Sequence, residues 1–179
     1  APDRAVPSQI DLTAMMDTIA HRGPDGRGHF VSSDRRTQLG FVRLAIIDPK
    51  TGDQPIRDKS RGAIMVGNGE IYNYLELRND PRLAEFQFHS RGDMETAFAL
   101  ALYTGEKFVN ELRGMFALAL IEERPRRLTL VRDRLGIKPL YYTTLSDGTV
   151  LFASEIKALF ASGLISATVD NKAVSEYLL

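Results

Sequence analysis

Apolar positions recur along this chain with two different periods, and their alternation outlines a mixed architecture. Between Asp11 and Ala20, Leu12, Met15, Met16 and Ile19 fall on one stripe at helical spacing. Asp11 is placed to cap that helix, and "HRGPDG" (21–26) to stop it. Two runs rich in β-branched and aromatic residues follow, "GHFVSS" (28–33) and "TQLGFVRLAIID" (37–48), and both predict strands. Residues 49–62 read as loop, and "AIMV" (63–66) as a further strand with a short helix near Tyr74–Arg78. "DMETAFALALYTG" (93–105) predicts a buried helix closed by Gly105, and "EKFVNEL" (106–112) one more short helix. Four strands are expected after it, at 114–122, 127–133, 139–144 and 149–154, joined as an antiparallel meander, before helix returns at 155–163. "GMFALAL" and "AIIDP" are too continuously apolar for a sheet with one wet face. The pattern therefore predicts an α+β domain of more than one layer.

Several short stretches interrupt this pattern with chemistry. In "AIMVGNGEIYNY" (63–74) the apolar run stops at Gly67-Asn68-Gly69-Glu70 and then resumes. Asn-Gly is a strong signal for a two-residue hairpin turn. Equally, glycine admits a ligand close to the backbone, and an asparagine amide beside an exposed N–H makes two convergent donors. Arg43, inside "RLAIID", must either reach water at a sheet edge or pair with an anion. Asp93, opening a helix in "RGDME", reads alone as an N-cap. His21 and Arg22 read as part of a helix stop. "RDRLGIKPLYY" (132–142) gathers basic residues around a glycine as an anion loop would, but without P-loop spacing, and "GNGEIYN" lacks the third glycine of a dinucleotide fingerprint.

Composition narrows the field. The 179 residues fit one domain able to bury roughly 70% of its unfolded surface. The 23 basic residues balance 23 acidic ones, which argues for neither nucleic acid nor an anionic membrane as partner. No run approaches a membrane span and none reads as a signal peptide, so a cytoplasmic location is expected. Cysteine is absent and only three histidines occur, which leaves little for a metal site. The start at Ala1 and the uncapped amphipathic stretch "AVSEYLL" are expected to be cuts in a longer protein.

Taken together, "HRGPDG", "RLAIID", "NGEIYN", "GDME", "GMFA", "RDRLGIKPLYY" and "FASEIKAL", in this order, resemble one family. It is the N-terminal glutaminase domain of glutamine-hydrolysing asparagine synthetase, a class II glutamine amidotransferase among the N-terminal-nucleophile hydrolases. The resemblance implies a four-layer αββα sandwich of two mainly antiparallel sheets. It implies an oxyanion hole from the Asn68 amide and the Gly69 N–H, and Arg43 as clamp for the α-carboxylate of glutamine. The backbone of Ile46 and Ile47 would line the pocket, and Glu70 and Asp93 would hold the α-ammonium. The family's nucleophile is an N-terminal cysteine opening a Cys-Gly-Ile strand, which this sequence lacks. The expectation is that this strand lies upstream, with "APDRAVPSQI" as the loop after it; the rivals are a catalytically silent scaffold and an anion-binding module built on Arg132–Lys138. Residues 1–163 would form the glutaminase domain and 164–179 the start of a linker to an ATP-dependent synthetase domain. No cofactor is implied for the first domain; ATP and Mg²⁺ belong to the second. The amide acceptor is expected to be aspartate, although lasso-peptide cyclases and other amide-forming relatives carry similar domains. Oligomeric state stays open, a homodimer included.

Overall fold

A computed structural model describes residues 10–178. The stretch expected to follow the nucleophile strand, apart from Ile10, lies outside the described residues. A helix, a 3₁₀ turn (Ala20–Arg22) and a hairpin come first: α1 (Leu12–Thr18), then β1 (Gly26–Val31) and β2 (Gln38–Arg43). Asp11 caps α1 by accepting the Ala14 N–H at 2.9 Å. β3 (Ile56–Asp58), β4 (Ala63–Ile71), α2 (Tyr74–Arg78) and α3 (Asp93–Thr104) follow. The chain then runs through a 3₁₀ segment (Gly105–Asn110) into β5 (Gly114–Glu123), β6 (Arg126–Arg132), β7 (Tyr141–Thr144), β8 (Val150–Ala153), α4 (Ile156–Ala161) and α5 (Asn171–Leu178). Among the described residues the named strands pair antiparallel, as a four-stranded sheet in the order β3-β4-β5-β6 and the hairpins β1-β2 and β7-β8, with one isolated parallel bridge between Pro24 and Arg43.

Strand alternation separates two cores. On β4 and β5 one parity (Ala63, Met65, Ile71; Phe116, Leu118, Leu120) packs with Ala97, Phe98 and Ala101 of α3. The other parity (Ile64, Val66; Ala119, Ile121) meets Phe30, Leu39 and Phe41 of β1-β2 and Phe152 of β8. Both hairpins therefore form a second β layer over the same face of the four-stranded sheet. Behind it lies α1, against which a Cβ at Gly40 would come within 2.7 Å of Met16 Sδ. Contacts of α4 with α1 and β8 complete that helical layer. The order helix, sheet, sheet, helix is the expected αββα sandwich, and it explains why β5 reads as apolar on both faces.

One alternative left open by the sequence is settled and two expectations need correction. The segment 67–70 is not a turn: β4 runs through it, with Gly67, Asn68 and Gly69 opposite Leu118, Ala117 and Phe116. The strand expected to reach residue 48 ends at Arg43, and Ile46 is 66% exposed on the loop beyond it. The four last strands are two hairpins rather than one meander. Asp133, 6% exposed, is the reason: its carboxylate accepts N–H groups from Phe116, Leu135, Ile137 and Lys138 at 2.9–3.2 Å. It gathers residues 133–138 into a tight loop that carries the chain from one β layer to the other. Burial alone would raise the Asp133 pKa, but these backbone donors outweigh it and hold it below the ordinary carboxylate value.

Candidate active site

The inter-sheet parity of β4 continues from Ile64 and Val66 to Asn68 and Glu70, so the strand that builds the core also carries polar groups into its open end. Asn68 Nδ2 is buried and has no hydrogen-bond partner among the described residues. Leaving such a donor unpaired costs about 1–3 kcal/mol, a sign of a group kept for something other than stability.

The backbone beside it is equally directed. On the edge of β4 away from β5, side chains take two N–H groups. Gln54 Oε1 accepts from Gly67 N at 2.6 Å, while Gln54 Nε2 donates to Gly67 O at 3.0 Å. Asp93 Oδ2 accepts from Ile71 N at 2.8 Å. By the alternation of an antiparallel ladder, the Gly69 N–H between them faces the same edge. Gly69 has φ +141°, and a Cβ there would lie 1.9 Å from Met115 O, so only glycine fits.

Asp93 is 5% exposed. It is the first helical residue of α3 rather than its cap, a position that falls to Gly92, and its carboxylate reaches across to β4 instead. Burial raises its pKa above the ordinary value; N–H groups of Ile71, Met94 and Asp93 itself oppose this, and the nearby Glu70 charge adds to it. Two carboxyl groups with no cationic side chain paired to either among the described residues make a site for a positive charge.

The opposite charge stands on β2. Arg43 is 9% exposed, and the loop after its strand closes round the guanidinium. Nη1 donates to Pro49 O at 3.1 Å and Asp53 Oδ1 at 2.7 Å, and Nη2 to Asp48 O at 2.6 Å. The edge-charge reading is thus excluded. "HRGPDG" seats the end of β2: Asp25 N–H donates to Arg43 O at 2.9 Å, and Asp25 Oδ2 accepts from Ala45 N at 2.8 Å. His21 Nε2 lies 2.8 Å and Arg22 Nη1 3.3 Å from Glu155 Oε1, which ties this motif to the head of α4, a structural role.

Asp48 joins the two charged ends. Its carboxylate takes Thr51 N–H and hydroxyl together with Arg91 N–H at 2.7 Å, two residues ahead of Asp93. These bonds, the Thr51 hydroxyl first, lower its pKa. Glu95 secures the same approach, accepting from His89 N at 2.8 Å and Ser90 N at 2.7 Å. Asp48, Asp53, Gln54 and Glu95 are the site-building residues that sequence reasoning did not single out; Asp48 ends "RLAIID" and Asp53 and Gln54 lie in "GDQP" (52–55) a few residues on, which were the available signal. The Arg132–Lys138 loop is no anion site of its own. Arg132 donates to Lys138 O and Gly136 O, Arg134 Nη1 to Leu112 O, and the anion inside the loop is Asp133.

Arg43, Ile46, Ile47, Asn68, Gly69, Glu70 and Asp93 all line one cavity of about 1610 Å³, whose apolar floor includes Val66, Ala119 and Ile121. A buried cation, two carboxyl groups and the unpartnered Asn68 amide on one cavity wall suit a small zwitterion whose reacting group develops negative charge. Among the described residues no cluster could hold a metal ion and no helix is long and apolar enough to cross a membrane.

Fold and site thus fit a domain that binds a small zwitterion, and the comparisons with known proteins give its family. The family model described as "Glutamine amidotransferase domain" matches residues 3–179, and the chain belongs to that family. It is 44% identical over 156 residues to the amidase chry2 of Gibberella zeae, covering 86% of this chain and 23% of that protein. With asparagine synthetase [glutamine-hydrolyzing] 1 of Bacillus subtilis it shares 39% over 167 residues, 93% of this chain and 26% of the relative. The chain therefore spans about a quarter of the length of these relatives. In structure it is similar to the glutamine phosphoribosylpyrophosphate amidotransferase of B. subtilis, with a TM-score of 0.68 at 19% identity over 84% of this chain and 40% of the other, a likeness of fold.

Proposed function

We propose that this domain binds L-glutamine and forms the ammonia-releasing part of a glutamine-dependent asparagine synthetase. The observation that carries the reading is the buried, unpartnered Asn68 Nδ2 beside the Gly69 N–H edge. The α-carboxylate would lie against Arg43, and the α-ammonium between Asp93 and Glu70. That leaves the side-chain amide on the two donors, which would stabilise the oxyanion formed when its carbonyl is attacked. The exposed loop carrying Ile46 and Ile47 would cover the aliphatic stem.

Attack requires a nucleophile, and the sequence contains no cysteine. Under this reading a cysteine from outside these 179 residues supplies it. Its thiolate adds to the amide carbon, the tetrahedral intermediate expels ammonia as the nitrogen is protonated, and water hydrolyses the thioester to glutamate. ATP and Mg²⁺ would act in a second, synthetase domain that activates aspartate, and the whole would be cytoplasmic. The rival reading is a catalytically silent scaffold, and one experiment separates the two. The full-length natural protein, assayed for ammonia release from L-glutamine, should be active, and Arg43→Ala should weaken glutamine binding by about 2–4 kcal/mol. Binding without ammonia release favours the scaffold; Arg43→Ala without effect removes the carboxylate clamp.

A further inference from the structure

Arg43 carries a feature that a carboxylate clamp does not require. Its side chain is 11% exposed, whereas that of Asp53, its ion-pair partner at 2.7 Å, is 83% exposed. Among the described residues Asp53 is the single anion on this guanidinium; the other acceptors are the carbonyls of Asp48 and Pro49. Those carbonyls are fixed in place. Gly52 N–H donates to Asp48 O at 3.0 Å, and a Cβ at Gly52 would stand 2.9 Å from Arg43 Nη2. The Asp48 carboxylate pins the loop at Thr51 and Arg91. Backbone acceptors are thus built in, while the one charged acceptor reaches the guanidinium from a solvent-facing side chain.

We infer that Asp53 is an exchangeable counter-ion for Arg43, holding the guanidinium until the α-carboxylate of the amino-acid ligand displaces it. The inference rests on the glutamine reading. A buried arginine left without an anion is strongly unfavourable, so a protein that must present one needs a stand-in. A stand-in suits exchange only if it can leave at little cost. The Asp53 carboxylate can swing into water about two side-chain torsions, and an ion pair with so exposed a partner shifts an equilibrium by roughly two- to fivefold. A ligand carboxylate whose own ammonium group is held by Asp93 and Glu70 outcompetes it, because the two contacts act on one molecule. Asp53 therefore sets the threshold concentration for ligand binding, and makes the pocket discriminate for an α-carboxylate, since a ligand without one leaves the Arg43–Asp53 pair intact.

The test uses the full-length natural protein, with L-glutamate as a ligand that is not turned over and its α-amide as the control lacking the α-carboxylate. In calorimetric titrations Asp53→Asn and Asp53→Ala should each tighten L-glutamate binding roughly two- to fivefold and leave the α-amide unchanged. In thermal melts both variants should fall below the unmodified protein without ligand and meet it at saturating L-glutamate, because the same free energy appears in both measurements. Unchanged or weaker L-glutamate binding in the Asp53 variants, while Arg43→Met loses it, overturns the exchange and leaves the glutamine reading intact. Equal tightening for L-glutamate and the α-amide also overturns it. If Arg43→Met binds L-glutamate like the unmodified protein, the glutamine reading fails and the exchange with it.

Discussion

Replacing Asn68 by alanine sets stability against catalysis in one residue. The Nδ2 group is buried without a partner, and an unpaired buried donor costs about 1–3 kcal/mol. Alanine removes that cost and leaves in exchange a hole of a few atoms at the rim of an open cavity, worth about 1 kcal/mol or less. The net change should lie between zero and about 2 kcal/mol of stabilisation. Melts should therefore show a Tm that is unchanged or raised. Catalysis should move the other way. A donor that meets only the oxyanion is worth about 3–4 kcal/mol in comparable sites, so kcat for glutamine should fall about 10²- to 10³-fold with KM nearly unchanged. Product formation from supplied ammonium should persist, since it bypasses this step. Melts and steady-state kinetics on one preparation of the full-length protein decide the matter. A variant that loses more than about 1 kcal/mol of stability while keeping its kcat would show that Asn68 serves the strand, and the argument from its orphaned amide would be wrong.

Gly69→Ala should cost at least about 3 kcal/mol in denaturant unfolding, because its Cβ would lie 1.9 Å from Met115 O at a φ few L-residues adopt; a variant of normal stability would mean that β4 can shift. Asp93, whose pKa is raised from 3.8, should oppose folding increasingly as pH rises from that value through its folded pKa, so Asp93→Asn should flatten this limb of the stability curve in urea titrations. For the same reason glutamine binding should release protons in that window and weaken as pH falls through it, which calorimetry in buffers of different ionisation enthalpy will show or exclude. Asp133, whose pKa is lowered, contributes stability that is present above the ordinary carboxylate value and lost as pH falls through its folded pKa; Asp133→Ala, which orphans four N–H groups, should lower stability by about 3–5 kcal/mol at pH 7 and lose this acid sensitivity.

Period and punctuation made most elements legible. α3 and its closing glycine, the two-sided burial of β5, and α1 with its Asp11 cap all follow from spacing and capping chemistry. What misled were stretches where local preference and long-range contact disagree. Gly67-Asn68-Gly69 carries hairpin chemistry, but pairing with Leu118, Ala117 and Phe116 keeps it extended, and local sequence holds no trace of that partner strand. "AIID" has strand composition, yet its chain must curl to wrap Arg43 with the carbonyls of Asp48 and Pro49. The seven residues named in advance do line one cavity, but the family resemblance, not their spacing, singled them out. Asp53 escaped notice because a lone acidic residue in a polar loop looks like any other until the buried guanidinium beside it is seen.

The continuity of β4 gives the two ends of the site different mechanical lives. Ala63 to Val66 are locked between both cores, and the same strand carries Asn68 and Gly69 without a break. The buried peptide groups of Ala63 to Val66 should therefore exchange their hydrogens only in the largest openings of the domain, and they hold the backbone that aims these donors in place. Residues 44–54 are held by polar contacts rather than by either core: they are tied through Arg43, Asp25, Asp48 and Gln54, and Leu44 and Ile46 stand largely in water. Substitutions that retune which side chain the pocket accepts should accumulate in this loop, while the strand end, inseparable from the core, stays the fixed point around which they are measured.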